Sequence, residues 1–429
     1  MKLRFRTFLS ITLAWMSVVS ASNAQIAKTP QWWKGNLHTH TLWSDGDDYP
    51  EMIVNWYKDQ GYNFLALSDH NVLLEGSKWL TVTNTPKKEL AFNRYLETFG
   101  SNWVIQRSLE GKQQVRLKTL PEFRSWFEEP ERFLLVPSEE LSDAYKNVPI
   151  HLNISNVRGL VKPQHGTNVL DVIQRSIDAV VEQRKKTGEP ILVHVNHPNF
   201  GWAIPAETLM RVERDRFFEV YNGHGDVKNI GDKIHASVER VWDIMLTFRL
   251  TELGLPVMYG LAVDDSHNYL KLGPANNNPG RGWIMVKAAQ LSPKALFEAM
   301  EKGDFYASTG VRLMDVERVR DHISVSIEGE TNVTYITQFI GTRKGFNPSS
   351  EQGPMPTNAV QGVTRRYSED IGKVLAEVPG TNATYRFKGD EIYVRAKVIS
   401  SRKRSFPHPP TENEIAWVQP VAVLTPEAP

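Results

Sequence analysis

Gly35-Asn36-Leu37-His38-Thr39-His40 and Phe64-Leu65-Ala66-Leu67-Ser68-Asp69-His70-Asn71 are short apolar runs that end in imidazole and carboxylate groups. The pattern recurs along the chain at Glu139-Glu140, His151, His197 and Asp265-Ser266-His267. A lone His-x-His means little. Strand-like runs that repeatedly deliver His, Asp or Glu at their C-terminal ends imply a polynuclear metal site and a hydrolase built on it.

Working outward, residues 34–310 alternate short apolar runs with helical periodicity. Strands are expected near Leu37 and at 63–68, 133–138, 148–154, 191–195, 217–221 and 257–263, with helices at 50–60, 168–187, 206–214 and 233–253. This order predicts a parallel α/β fold of about seven strands, closed or partly closed, with its site at the strands' C-terminal ends. Residues 74–131 form a long insertion rich in Trp, Lys and Arg, to be read as a lid or a surface subdomain. After residue 311 strand signals alternate with turns, so 312–429 is expected to be a small all-β, sandwich-like domain.

Lys2, Arg4 and Arg6 precede an apolar stretch from Thr7 to Ser20, and Ser22-Asn23-Ala24 offers a small-residue cleavage site. Residues 1–24 therefore read as a signal peptide, which places the mature protein (from residue 25) in the periplasm or outside the cell, with no stable membrane association. Fifty Lys and Arg balance 49 Asp and Glu, so no long-range field favours a nucleic-acid polymer. The chain has no cysteine, so any metal is held by N and O donors, as suits Zn, Mn or Fe.

Strand parity sorts the candidates. His38 and His40 lie two apart and share a face, as do Asp265 and His267. Asp45 follows in the Ser44-Asp45-Gly46 turn. His70 shares its face with Ser68 and Ala66, whereas Asp69 shares one with Leu67 and Leu65 and points away from the site. His151 lies on the polar face with Asn153. His197, at a strand end before Pro198, is preferred over His194, which takes a buried hydrogen-bonded role. His224 is a structural or substrate-contacting candidate. Pattern alone does not separate Glu139 from Glu140.

The ordered set His38-x-His40, Ser44-Asp45-Gly46, Asp69-His70, a Glu after the third strand, His151, His197-Pro198 and Asp265-x-His267 resembles the PHP (polymerase and histidinol phosphatase) superfamily across residues 34–310. The stretch from Gly280-Arg281-Gly282-Trp283 to Gly310 is similar to a secreted branch that includes carbaryl-hydrolase-like metallohydrolases. The resemblance implies a distorted seven-stranded β/α barrel over residues 25–311 with two or three divalent ions. It implies that His38, His40, Glu140 and Asp265 hold one ion. Glu140, His151 and His197 would hold a second, and Asp45, His70 and His267 a third. Glu140, the third residue after Pro137, is the implied bridge. Asn196 departs from the family pattern, where a small apolar residue is commoner.

An exported phosphoesterase acting on a small anionic substrate is therefore expected, with Glu140 and Asp265 at the reacting centre and Arg281 contacting the anion. Clustered dications would bring a bridging water to a pKa near 7. The alternatives are an ester, amide or carbamate hydrolase using the same site, and a non-catalytic periplasmic binding protein.

Overall fold

The computed structural model describes residues 29–82, 85–353, 363–406 and 412–423. The signal-peptide reading at 1–24 lies outside them. The chain is a mixed α/β structure organised on one 13-stranded sheet, with further small sheets of three, three and two strands.

One end of the large sheet carries the motif-bearing strands. In spatial order these are Tyr259–Val263, Phe217–Asn222, Leu192–Val195, Val148–Ser155, Leu134–Tyr145, Phe64–Leu67 and Gln31–Asn36. Four of their pairings are parallel, as expected. Val148–Ser155 is the exception, antiparallel to both neighbours. Only Lys146 and Asn147 separate it from Leu134–Tyr145, too short a link for a crossover, and Lys146 takes a left-handed φ of 56°. The wholly parallel arrangement is therefore corrected at this strand. Reversal also explains how His151, in the first half of its strand, reaches the same end of the sheet as the others.

The two outer strands of this group are joined through the segments that follow them. Asp265 N donates to His38 O at 3.0 Å, His40 N donates to Ser266 O at 3.1 Å, and Thr39 bridges Ser266 in parallel.

Helices cover the group. Val169–Thr187 starts on the Asn168 side chain, which accepts from Asp171 N, and ends at left-handed Gly188 with three basic residues in its last turn. Its buried face, Val172, Ile173, Ile177 and Val180, joins the main core with Ile150, Leu152, Val193 and Val195. The helix expected over 206–214 stops at Leu209, because the turn beyond it is held by Arg249, whose Nη1 donates to the carbonyls of Met210 and Val212.

The insertion forms a three-stranded sheet (Lys78–Thr81, Gln106–Leu109, Lys112–Leu117) with helices Pro86–Phe99 and Leu120–Phe127. Its Phe92, Tyr95, Val115, Leu117 and Phe123 share a second core with Tyr49, Ile53 and Tyr57 of the first helical region. Tyr95 and Trp103 both donate to Glu51 of helix Pro50–Asp59, at 2.6 and 3.1 Å.

The large sheet then runs on through Trp283–Ala288 and Phe305–Ser308 into Asn413–Ala422, Glu391–Lys403, Tyr335–Arg343 and Lys373–Pro379. Over this end lies the sheet of Leu313–Arg318, His322–Ile327 and Asn382–Arg386, with Ile323, Val325, Phe339, Ala396 and Val418 packed between.

Candidate metal centre

All nine expected ligand residues converge at one end of the motif-bearing strands. The Phe64–Leu67 and Leu134–Tyr145 strands extend their pairing through a parallel bridge between His70 and Glu140. The loop carrying Asp45 is built on Asp69. Its carboxylate accepts from Thr41 N, Thr41 Oγ1, Ser44 N and Ser44 Oγ at 2.6–2.9 Å. Gly46 is required there, since a Cβ would stand 2.5 Å from the His40 carbonyl oxygen. His197 and Asp265 hold positive φ angles of 22° and 48°, strained for non-glycine residues, and both lie in this cluster.

Glu140 is the hub. Its carboxylate lies 3.4 Å from His38 Nε2, 3.3 Å from His40 Nε2, 2.8 Å from His70 Nδ1, 3.0 Å from His151 Nδ1 and 3.5 Å from His197 Nε2. His38 Nε2 and His40 Nε2 face each other at 3.1 Å, and Asp265 Oδ1 is 3.2 Å from both. A second focus lies on the solvent side. There Asp45 stands 3.6 Å from His40 Nδ1, 3.6 Å from His70 Nε2 and 3.4 Å from His267 Nε2. His40 thus belongs to both foci.

This donor set fits divalent cations. Ligand atoms about 2.0–2.2 Å from one ion are separated by roughly 3.0–3.6 Å, the spacing of His38, His40, Asp265 and Glu140. Glu140 Oε2 is buried and accepts no hydrogen bond, although His70 Nδ1 is 2.8 Å away. Two donors that stand close without hydrogen-bond alignment are placed to share a cation. Four groups among the described residues could hold a metal: His38, His40 and Glu140; His70, Glu140 and His151; His40, Asp45, His70 and His267; and, behind His38, the trio His38, His194 and Glu219.

The electrostatics show the strain of so many polar groups in one place. Burial alone would raise Glu140, yet His38, His151 and His70 hold it well below the carboxylate range. Asp265 behaves likewise, with His38 and His40 overcoming its burial. Burial would lower His70, but Glu140 and Asp45 lift it to about 10. His40, buried and beside His267, falls to about 3.

Sequence reading missed Glu219. Its Oε1 is 2.7 Å from His38 Nδ1 and 3.2 Å from His194 Nε2, and its Oε2 accepts from His197 N at 2.7 Å. With its proton on Nδ1 toward Glu219, His38 presents the Nε2 lone pair to the cluster. The available signal was a charged residue inside the apolar run Phe217-Phe218-Glu219-Val220-Tyr221. Asn196 also acquires a use, since its amide donates to Glu140 Oε1 at 2.8 Å. His194 is buried beside Glu219, while His224 packs against His267, their ring centres 5.2 Å apart.

Arg281 is corrected. It is buried, and its guanidinium donates to the carbonyls of Gly223, Pro274 and Phe406. It ties loops together rather than offering an anion contact.

No family model matches the chain, and no curated protein matches it. Solved structures do. One is a two-domain protein from Bacteroides vulgatus named for a predicted PHP-like metal-dependent phosphoesterase. It has 15% identity and a TM-score of 0.37, over 91% of this chain and 95% of that one. Another, from Bifidobacterium adolescentis, is provisionally named a metal-dependent phosphoesterase. It has 12% identity and a TM-score of 0.28, over 56% of this chain and 90% of that one. Neither likeness is close enough to carry a function, so the functional reading rests on the side chains.

Proposed function

We propose that this chain is an exported metal-dependent phosphoesterase of PHP type. Its site would occupy the end of a distorted seven-stranded barrel whose outer strands meet through the Thr39–Ser266 bridge. The nine convergent residues would hold two or three ions of Zn, Mn or Fe. His38, His40, Glu140 and Asp265 would take the first, Glu140, His151 and His197 the second, and Asp45, His70 and His267 the third. The N-terminal basic-then-apolar segment supports export.

The observation that carries this reading is the Glu140 hub, one buried carboxylate within 3.5 Å of five imidazoles and with an oxygen that accepts no hydrogen bond. Bound dications would supply an acidified water and neutralise charge on a phosphoryl group. The chain's own residues orient the donors. Glu219 fixes the His38 tautomer, Asn196 steers Glu140, and Asp69 holds the loop that presents Asp45. The His38 and His40 side chains are fully buried, whereas those of Asp45 and His70 are 56% and 29% exposed, so substrate enters from the Asp45 side.

The test is elemental analysis of gently purified protein together with turnover of p-nitrophenyl phosphate and p-nitrophenyl acetate. Two or three equivalents of a transition metal and phosphate release are expected. Protein without metal would remove the site, and cleavage of the acetate alone would move the chemistry from phosphorus to carbonyl carbon.

A further inference from the structure

A cavity of about 250 Å³ lies directly beside Asp45. Ser44 and Asp45 form one wall. The opposite wall belongs to the insertion and presents Lys78, Leu80, Lys87 and Lys88. Asp45 also stands within 3.6 Å of His40, His70 and His267, so the cavity and the metal centre share this residue and adjoin each other. Its volume corresponds to roughly eight waters, room for a small anionic group on a short linker.

The three lysines are not explained by local stability. Lys87 and Lys88 lie in the first turn of helix Pro86–Phe99, where the dipole disfavours cations. Lys78 is pinned by its Nζ, which donates to the Trp43 carbonyl, and burial lowers its pKa, with Asp69 opposing the effect and Lys88 adding to it. The acidic groups near this wall all have other partners as well, and Asp69, which acts on Lys78, accepts from Thr41 and Ser44. Asp45 faces the three imidazoles, while Asp47 accepts from Tyr269 N and Asn268 as well as pairing with Lys87 at 3.2 Å. Lys87 is matched by Asp47, whereas Lys78 and Lys88 have no carboxylate within ion-pair distance among the described residues, and clustered ammonium groups of this kind attract an anion.

We propose that Lys78, Lys87 and Lys88 form a subsite for a second anionic group of the substrate, a phosphate or carboxylate on the part that leaves. The enzyme's substrates are then small phosphate esters with two anionic ends. One end is held at the metal centre and the other on the insertion. This rests on the phosphoesterase reading for its chemistry but not for its binding.

Two measurements test it. In the metal-loaded full chain, kcat/KM for phosphate release is compared among phenyl phosphate, 4-carboxyphenyl phosphate and 1,4-phenylene bisphosphate. The doubly anionic substrates should be preferred by about tenfold, mainly through KM. That ratio should collapse toward one in Lys78→Gln/Lys88→Gln and fade with added salt. A ratio near one in the native chain, or one unchanged by the substitutions, overturns the subsite. Separately, EDTA-treated protein is titrated with inorganic phosphate. The native chain should bind, and Lys78→Gln/Lys87→Gln/Lys88→Gln should bind at least tenfold more weakly while its circular dichroism is retained. Equal affinities, or no binding by the native chain, overturn the proposal. If the apo-protein binds phosphate through the lysines but no phosphate ester turns over, the phosphoesterase reading fails and the subsite stands.

Discussion

Two of the buried clusters of charge among the described residues are built in opposite ways. Between helix Val238–Thr251 and strand Glu391–Lys403, Asp243 accepts from Arg395 Nε and Nη2 at 2.8 and 2.7 Å and from the Tyr393 hydroxyl at 2.8 Å. Glu239 joins Lys397 at 2.6 Å and approaches Arg395 at 3.5 Å. Two carboxylates meet two permanent cations, and Arg395 also lies over the Trp242 ring. Around Glu140, by contrast, no lysine or arginine among the described residues approaches within ion-pair distance. Apart from the Asn196 amide its partners are imidazoles, whose charge depends on protons, and one of its oxygens accepts no hydrogen bond. A network closed by permanent cations serves the fold. A network of neutralisable nitrogens around carboxylates leaves its positive charge to be supplied from outside, as a proton or a metal ion.

The largest expected effect is at the hub. Glu140→Gln keeps the shape but removes the charge shared by all five imidazoles. Metal content, read by elemental analysis, should fall by at least one equivalent, and turnover by about a thousandfold or more. The metal-free variant should also be less stable, because the imidazoles hold Glu140 ionised in the folded chain, so metal content is read on protein shown by circular dichroism to be folded. A variant with full metal content and activity would demote Glu140 from hub to bystander.

The contrast is only partly legible in the sequence. Parity places His38 with His40 and turns Asp69 away from the ligands, because alternation is a local property of extended chain. Asp69 instead builds the Asp45 loop. The reversal of Val148–Ser155 escapes a sequence reading because Lys146-Asn147 is a weak hairpin signal beside the stronger expectation of an α/β repeat. Glu219 escapes it because it lies in the middle of an apolar strand, where ligands are expected at strand ends. The pairing of Phe305–Ser308 with Asn413–Ala422, across more than a hundred residues, leaves no local mark at all. The Asp243–Arg395 junction is invisible for the same reason: nothing near Asp243 in the chain announces Arg395.

At that junction the expected effect is on stability alone. Asp243→Ala leaves the buried Arg395 guanidinium with only Glu239, 3.5 Å away, to oppose its charge and should cost about 3 kcal/mol in chemical denaturation. Asp243→Leu/Arg395→Met, which removes both charges, should recover most of the loss. Protein that remains folded should bind its full complement of metal. Loss of metal in proportion to loss of stability would mean that the two clusters are coupled, and the division between them would fail.

The smallest effect separates the clusters by pH. In metal-free protein, the folded-state pKa of His70 is about 10, against a usual 6.5, because Glu140 and Asp45 outweigh its burial. The folded chain therefore binds that proton more tightly than the unfolded chain does. This stabilisation is complete below about pH 6.5 and is lost as pH rises through about 10. Glu140 and Asp265 are shifted the other way, so their contribution is present above the ordinary carboxylate range and is lost as acid protonates them. Metal-free protein should be most stable between about pH 4.5 and 6.5. Metal needs the same imidazoles neutral, so the rise in Tm on adding Zn or Mn to EDTA-treated protein should grow from about pH 5.5 to about pH 8.5. The deficit of Asp243→Ala should stay flat across that range, since Arg395 does not titrate there. A metal-induced rise in Tm independent of pH would mean that the ions are not held by histidine, and the distinction between a proton-borne and a permanent positive charge would no longer separate these two clusters.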